Sequence, residues 1–333
     1  MNVSYDLEPF TDEIRDAYLK LLPEQEQAIA SGKLDWKFSR NPAGAGTVAV
    51  ARGDGDIIGV NAFMRSSFGL RGHPVRAYQS MDTIVMPAAR GKGVFPGLLN
   101  CFYERTDGTL IYGFPNVNSS PGFFGKLGWT YFSPVPMLFR PLRTGYFLKR
   151  FGRLMPDIRV PVLARPHRSA ERIESFDDSA TDMWRRFARG IECAVERDAD
   201  YLNWRLRDHP SEKYDILRSP DGSFTVHSTS DKHGGRIGYL MEAIGTPDSL
   251  PPLIASSLRQ IAASGADAAL AWCLPGSPNY SAYRKAGFYP LPTKLRSILI
   301  NFGARPLRAD PEASAAIVDP AGWYISYLDS DTV

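Results

Sequence analysis

The chain has 333 residues, 44% of them hydrophobic, which suits two domains with full cores and agrees with a soluble enzyme. Its 39 basic and 36 acidic residues leave a net charge of +3 with no basic block of the kind that binds nucleic acid or anionic membranes, so no bulk electrostatic partner is implied. No apolar run approaches the roughly 18 residues of a membrane span, and Met1 to Pro9 does not read as a signal peptide, so no membrane insertion and a cytoplasmic address are expected.

The first informative elements lie between residues 77 and 129. Ala77 to Val85 is an apolar, strand-like run. Arg90-Gly91-Lys92-Gly93-Val94-Phe95 follows it and opens a helix-like run, Val94 to Tyr103. A glycine-rich loop at a helix N-terminus presents unpaired N–H groups, close backbone approach and the positive end of the dipole to a diphosphate, and Arg90 and Lys92 add charge. A triphosphate loop would need Ser or Thr after the lysine, where Gly93 stands. A dinucleotide fingerprint would need a third glycine where Pro96 stands. Next, Thr109 to Phe114 reads as a buried strand and Pro115 to Ser120 as a polar turn. Phe123 to Trp129 reads as a short helix closed by glycine.

The pattern [RQ]-x-x-G-x-[GA], met at Arg90 and Gly93 and missed at Phe95, resembles the coenzyme A loop of GNAT acyltransferases. The strand, the Asn-bearing turn and the Phe124-x-Lys126-x-Gly128-Trp129 ending, with Met81 to Pro87 ahead of the loop, extend this resemblance over about 50 residues. It implies acetyl-CoA or another acyl-CoA as co-substrate, no metal, and a small-molecule amine as acceptor. The loop, Arg90 to Phe95, and the strand end, Ile84, Val85 and Met86, are then the cofactor-binding residues, and backbone N–H groups of Ile84 to Met86 serve the oxyanion. The usual acid, a tyrosine four residues before the helix-ending glycine, is replaced by Phe124, so that either the thiolate leaves unassisted or through water, or a neighbour such as Tyr112, Ser119 or Ser120 substitutes.

Further along, Arg140 to Ser169 interleaves four prolines with basic residues and reads as a linker centred on Gly152 to His167. The second half echoes the first. Trp36-Lys37 leading to Asn41-Pro42 is matched by Trp204-Arg205 leading to His209-Pro210. Leu110 to Pro115 with Phe124 to Trp129 is matched by Leu270 to Pro275 with Tyr283 to Phe288. The expected fold is α/β: two tandem GNAT-like units, each a mixed, mostly antiparallel sheet flanked by helices, at 1–150 and 171–333 with a linker at 151–170. Between the strand-like Arg236 to Glu242 and the helix-like Leu250 to Ala263, the second unit has Ala243 to Ser249, without an Arg or a glycine pair, so it is expected to lack a coenzyme A site.

Period-two alternation places Asp82 on one face of the strand as the candidate base. Asn118 and Ser119 complete the candidate catalytic set, and His73, Asn116, Asp329 and Asp331 are candidate acceptor contacts. Trp323 to Asp331 alternates like a docked C-terminal strand. Cys101, Cys193 and Cys273 show neither metal nor disulfide spacing and read as buried thiols. The ensemble also looks like tandem GNAT proteins linked to bacterial polysaccharide synthesis, which implies an amine on a nucleotide-linked amino sugar as one possible acceptor. A FemAB-like aminoacyl transferase and a non-catalytic acyl-CoA-binding protein are the alternatives; the near-neutral charge and the loop count against the first.

Overall fold

A computed structural model describes residues 2–22, 32–145, 157–232, 234–296 and 298–330. The strands are β1 Val3–Pro9, β2 Thr47–Gly53, β3 Asp56–Leu70, β4 His73–Val85, β5 Leu110–Gly113, β6 Thr130–Pro134, β7 Met137–Pro141, β8 Glu171–Ile173, β9 Cys193–Val195, β10 Asp215–Arg218, β11 Phe224–Lys232, β12 Gly235–Ile244, β13 Ala268–Trp272, β14 Tyr289–Pro290 and β15 Asn301–Pro306. The helices are α1 Asp12–Lys20, α2 at residues 32–38, α3 Val94–Arg105, α4 Ser120–Lys126, α5 Asp178–Phe187, α6 Ala199–Leu202, α7 Leu250–Ala263, α8 Tyr280–Lys285 and α9 Pro311–Val318.

Two mixed sheets carry the fold. The eight-stranded sheet runs β1-β2-β3-β4-β5-β15-β6, with β9 added on β3; the seven-stranded sheet runs β14-β7-β13-β12-β11-β10-β8. Each sheet takes an inner strand from the other half of the chain, and the first also takes β9. β7 follows β6 in sequence but inserts between β13 and β14, and β15 follows β14 but inserts between β5 and β6. Each inserted strand is antiparallel to a strand whose other neighbour is parallel, β4 to β5 in one sheet and β12 to β13 in the other. The duplication read from sequence therefore appears as a reciprocal exchange.

The two tryptophan motifs meet at the junction. Trp36 and Trp204 stack with ring centroids 4.7 Å apart. Trp36 Nε1 donates to the Trp204 carbonyl at 2.9 Å, and Trp204 Nε1 donates to the Trp36 carbonyl at 3.0 Å. Such reciprocity, in which i touches j as j touches i, is what a local two-fold axis imposes. One apolar core then spans both halves, from Phe68 and Tyr112 of the first sheet to Leu240 and Trp272 of the second. Its thiols are inert: burial pushes the Cys193 thiol up to about 12.

The C-terminal segment is docked, but not as a strand. Trp323 and Tyr324 are buried beside Cys193, whose carbonyl accepts from the Tyr324 N–H at 2.9 Å. Residues Tyr327–Asp329 form a 3₁₀ turn. The Ser326 side chain and the Asp329 carboxylate cap this turn reciprocally, which satisfies the amides locally and removes the need for a ladder.

The buried imidazole of His227 on β11 gives the fold a pH dependence. It is 2% exposed, and burial, opposed by Asp215, lowers it from the usual 6.5 to about 4. The folded state holds it neutral while the unfolded chain protonates near 6.5, so this stabilisation is complete above pH 6.5 and is lost as pH falls toward 4. Between pH 7 and pH 5 the loss is about 2 kcal/mol at most. Denaturant titrations of wild type and His227→Phe at both pH values should show that the difference between pH 7 and pH 5 shrinks in the variant. An unchanged difference assigns the pH dependence to other groups.

Candidate active site

The site begins with an irregularity in the longest hairpin. On β3 and β4, Val60 pairs with Ile84 but Ala62 pairs with Met81, so Asn61 faces both Asp82 and Thr83. This is a bulge of two residues against one. Asp82 takes a left-handed backbone there, φ 51°, a conformation that a short polar side chain tolerates better than a branched one. The buried Asn61 amide donates to Ser80 Oγ at 3.3 Å, its Oδ1 accepts from Thr83 Oγ1, and the bulge is held in one shape.

A second irregularity opens beside the first. β4 and β5 are paired in parallel only from Ala77 opposite Leu110 to Gln79 opposite Tyr112. Beyond Gln79 the strands part, and a cavity of about 170 Å³ lies between them, lined by Ser80, Asp82, Thr83, Asn116, Ser119 and the rings of Phe123 and Trp129, among others. The splay leaves one edge of β4 unpaired beside the cavity, and that edge leads directly into the glycine loop.

The loop has the expected form. Gly91 and Gly93 have φ 76° and 83°, and Gly93 is the N-cap of α3. A Cβ built on either glycine meets no atom within 4 Å, so the space above the loop is open. Arg90 is exposed, and its Nε donates to the Val85 carbonyl at 3.0 Å; Lys92 is also exposed. Phe95, the residue that breaks the loop pattern, packs edge-on against Phe123 at 5.1 Å and lies over Gly122 of α4. Its ring braces α3 against α4, and Gly122 leaves room for it: a Cβ there would sit 2.6 Å from the Phe95 ring.

Of the candidate residues, Asp82, Asn116 and Ser119 come together in the cavity. Asp82 Oδ2 accepts from Lys37 Nζ of α2 at 2.9 Å, with the lysine side chain 6% exposed and the aspartate 20%. Asn116 Oδ1 accepts from the N–H groups of Asn118 and Ser119, at 2.9 and 3.1 Å, so much of its side chain is committed to the turn. Asn118 sits exposed on that turn and is not among the cavity's lining residues. Ser119 Oγ donates to Asn116 Oδ1 at 3.3 Å, and Ser120 Oγ donates to the Asn116 carbonyl at 2.7 Å.

Other candidates lie elsewhere. His73 opens β4, opposite Leu70 and exposed, at the far end of the strand from Asp82. At ~3.3 Å per residue the two are roughly 30 Å apart, because the hairpin is fully extended, so His73 does not reach this cavity. Asp329 is buried, and its carboxylate accepts from Arg197 Nη2 at 2.6 Å and the Ser326 N–H at 2.8 Å, so it serves the core. Asp331 lies outside the described residues. The Met86 N–H donates to the Ile58 carbonyl at 2.9 Å, which withdraws it as an oxyanion donor. Tyr112 is buried, its Oη lies 3.2 Å from Ser66 Oγ, and burial with the nearby Asp329 charge raises its pKa well above that of a free phenol, so it holds its proton. Phe124 packs on Tyr131 at 4.8 Å and over Gly303, while its neighbour Phe123 lines the cavity. Lys37, Asn61, Ser80 and Thr83 were not foreseen; the repeated tryptophan-cation dipeptide at Trp36-Lys37 was the available signal for the first.

The corresponding places in the second half are filled. Glu242 on β12 is fully buried and accepts from Arg197, Ser326 and Tyr324. Asn279 Nδ2 donates to the Ala243 carbonyl at 2.8 Å, occupying the backbone of β12 where it leaves β13. At the N-terminus of α7 the Asp221 carboxylate accepts from the hydroxyls of Thr246 and Ser249 at 2.9 and 2.8 Å. Burial would raise Asp221, but these hydroxyls, with Ser219 and Ser223, hold it well below the usual carboxylate range. The chain's own carboxylate therefore sits beside this helix N-terminus, whereas the first turn of α3 has no acidic residue.

Residues 6–132 match the acetyltransferase (GNAT) domain family. No curated protein matches the chain in sequence. Among solved structures, the chain is similar to a conserved protein of Enterococcus faecalis described as a probable N-acyltransferase: 13% identity, TM-score 0.62, covering 92% of this chain and 73% of that one. It is similar to a GCN5-related N-acetyltransferase from Anabaena variabilis at 11% identity and TM-score 0.64, over 92% and 73% of the two chains. It is also similar to Saccharomyces cerevisiae N-myristoyltransferase with bound myristoyl-CoA, at 12% identity and TM-score 0.56, over 90% and 82%. The chain therefore carries a match to the GNAT acetyltransferase domain at residues 6–132 and has, over most of its length, the fold of GNAT N-acyltransferases.

Proposed function

We propose that the chain is an acyl-coenzyme A-dependent N-acyltransferase with one cofactor site, in the first of two GNAT-like units at 1–150 and 171–333. The observation that carries this reading is the splay of β4 from β5 at Gln79, with a cavity in the opening and an open, cationic glycine loop at the end of the unpaired edge. The diphosphate sits on the first-turn amides of α3 with Arg90 and Lys92, and the pantetheine lies along β4 past Ile84 and Val85. The thioester carbonyl then faces the bulge.

Asp82 stands at that bulge with its charge matched by Lys37. In this reading it orients the acceptor amine and takes up its proton directly or through water, and Ser119 is the candidate hydroxyl for the departing thiolate. The acceptor is a small-molecule amine, and an amine on a nucleotide-linked amino sugar is the first class to try. Release of free thiol from a panel of acyl-coenzyme A donors with such amines tests the reading; absence of turnover with every donor overturns it.

Phe124→Tyr is expected to leave turnover within about tenfold of wild type, roughly 1.4 kcal/mol in barrier. The ring at this position packs on Tyr131 and over Gly303, so a new hydroxyl enters packing rather than the cavity. Steady-state kinetics check this, and a large gain in rate would show that thiolate protonation limits the native protein.

A further inference from the structure

Gln79 is the last residue at which β4 pairs with β5, and Ser80, directly after it, is the first residue of β4 to line the cavity. The Gln79 side chain is buried, and its Nε2 donates to the backbone carbonyl of Asp329 at 2.8 Å. That carbonyl is itself held in place. The Asp329 carboxylate accepts from Arg197 Nη2 at 2.6 Å, and the preceding carbonyl, of Leu328, accepts from Tyr201 Oη and Arg205 Nε, both at 3.0 Å.

Arg197 joins the two sheets. Its side chain is fully buried; Nε donates to Glu242 Oε2 on β12 at 3.1 Å, and Nη1 donates to the carbonyl of Val195 on β9, a strand of the first sheet, at 2.8 Å. A buried guanidinium shared between two carboxylates and a carbonyl has little freedom to shift, because any move uncovers a charge in a low dielectric. The three parts form one line from the second sheet to the point where the cleft opens.

We infer that Arg197 is a positioning residue for the cleft, acting through Asp329 on Gln79 to fix where β4 departs from β5. Its consequence for turnover rests on the acyl-transfer reading; the brace itself does not. An ångström of error in the splay displaces Ser80 to Thr83, and with them the bulge that carries Asp82.

The test uses the full chain with Gln79→Met, which keeps side-chain length and removes the amide that donates to Asp329. Gln79→Asn, whose amide is too short to reach, is the second variant, and Arg197→Lys probes the far end. Hydrogen exchange at residues 80–83 is expected to quicken about tenfold in both Gln79 variants. Turnover at saturating substrates should fall about tenfold while coenzyme A affinity, by calorimetry, stays within twofold. Unchanged exchange in either folded Gln79 variant overturns the brace whatever the chemistry of the site. Faster exchange with turnover within twofold of wild type overturns the positioning role. If wild type releases no thiol from any acyl-coenzyme A, the acyl-transfer reading fails and the exchange result still decides the brace.

Discussion

Gly93→Val is expected to lower coenzyme A affinity by at least about 100-fold, with the fold intact. Gly93 caps α3 at φ 83°, a conformation that costs an L-residue about 1–2 kcal/mol and a β-branched one more. A built Cβ meets nothing within 4 Å, so the protein itself does not object to a side chain. The damage comes from relaxation of the strained turn, which re-aims the first amides of α3, and from methyl groups placed where a phosphate must approach. Losing two charge-assisted hydrogen bonds at about 1.5–3 kcal/mol each accounts for the factor of 100 or more. Calorimetry on wild type should return one site per chain, since the second helix N-terminus has the Asp221 carboxylate beside it, held by Thr246 and Ser249, and the second splay is bridged by Asn279. A stoichiometry near two, or unchanged affinity in a folded variant, contradicts the assignment.

Asp82→Asn is expected to reduce turnover by about 10²–10⁴-fold, the range for a positioned acid–base group, with coenzyme A affinity nearly unchanged. The substitution is well matched to the site. Asn accepts a left-handed backbone as readily as Asp, so the bulge opposite Asn61 should persist, and its amide oxygen can still accept from Lys37. What is removed is the negative charge that the amine and Lys37 both face. Measured across neutral and mildly alkaline pH, a loss below about fivefold makes Asp82 a structural partner of Lys37. Attention then passes to Ser119 and to solvent as the proton's route.

The two expectations differ in how they could be reached. The loop was legible because its form is written in local backbone chemistry: glycines, cations and a helix start are adjacent in sequence, and no distant residue is needed to form them. Asp82 was legible as a polar residue on an apolar strand, but its left-handed backbone was not, since a bulge depends on the partner strand and Asn61 lies 21 positions earlier. His73 failed for the complementary reason. It is near Asp82 in sequence, yet an extended strand carries neighbours apart by ~3.3 Å per residue.

By itself the sequence determined the α/β class, the echo between the two halves and the glycine loop that opens α3, because each follows from periodicity, glycine placement and repeated motifs within short windows. The tertiary structure alone decided the reciprocal exchange of β7 and β15, the stacking of Trp36 on Trp204, and the fate of the carboxylates. Asp82 stands in a cavity, Glu242 and Asp329 are closed around Arg197, and Asp221 accepts from hydroxyls ahead of a helix. Their roles depend on distant partners: Asp82 and Glu242 on residues 45 or more positions away and Asp329 on Arg197, 132 away, while Asp221 adds Thr246 and Ser249, 25 and 28 away, to its local partners Ser219 and Ser223.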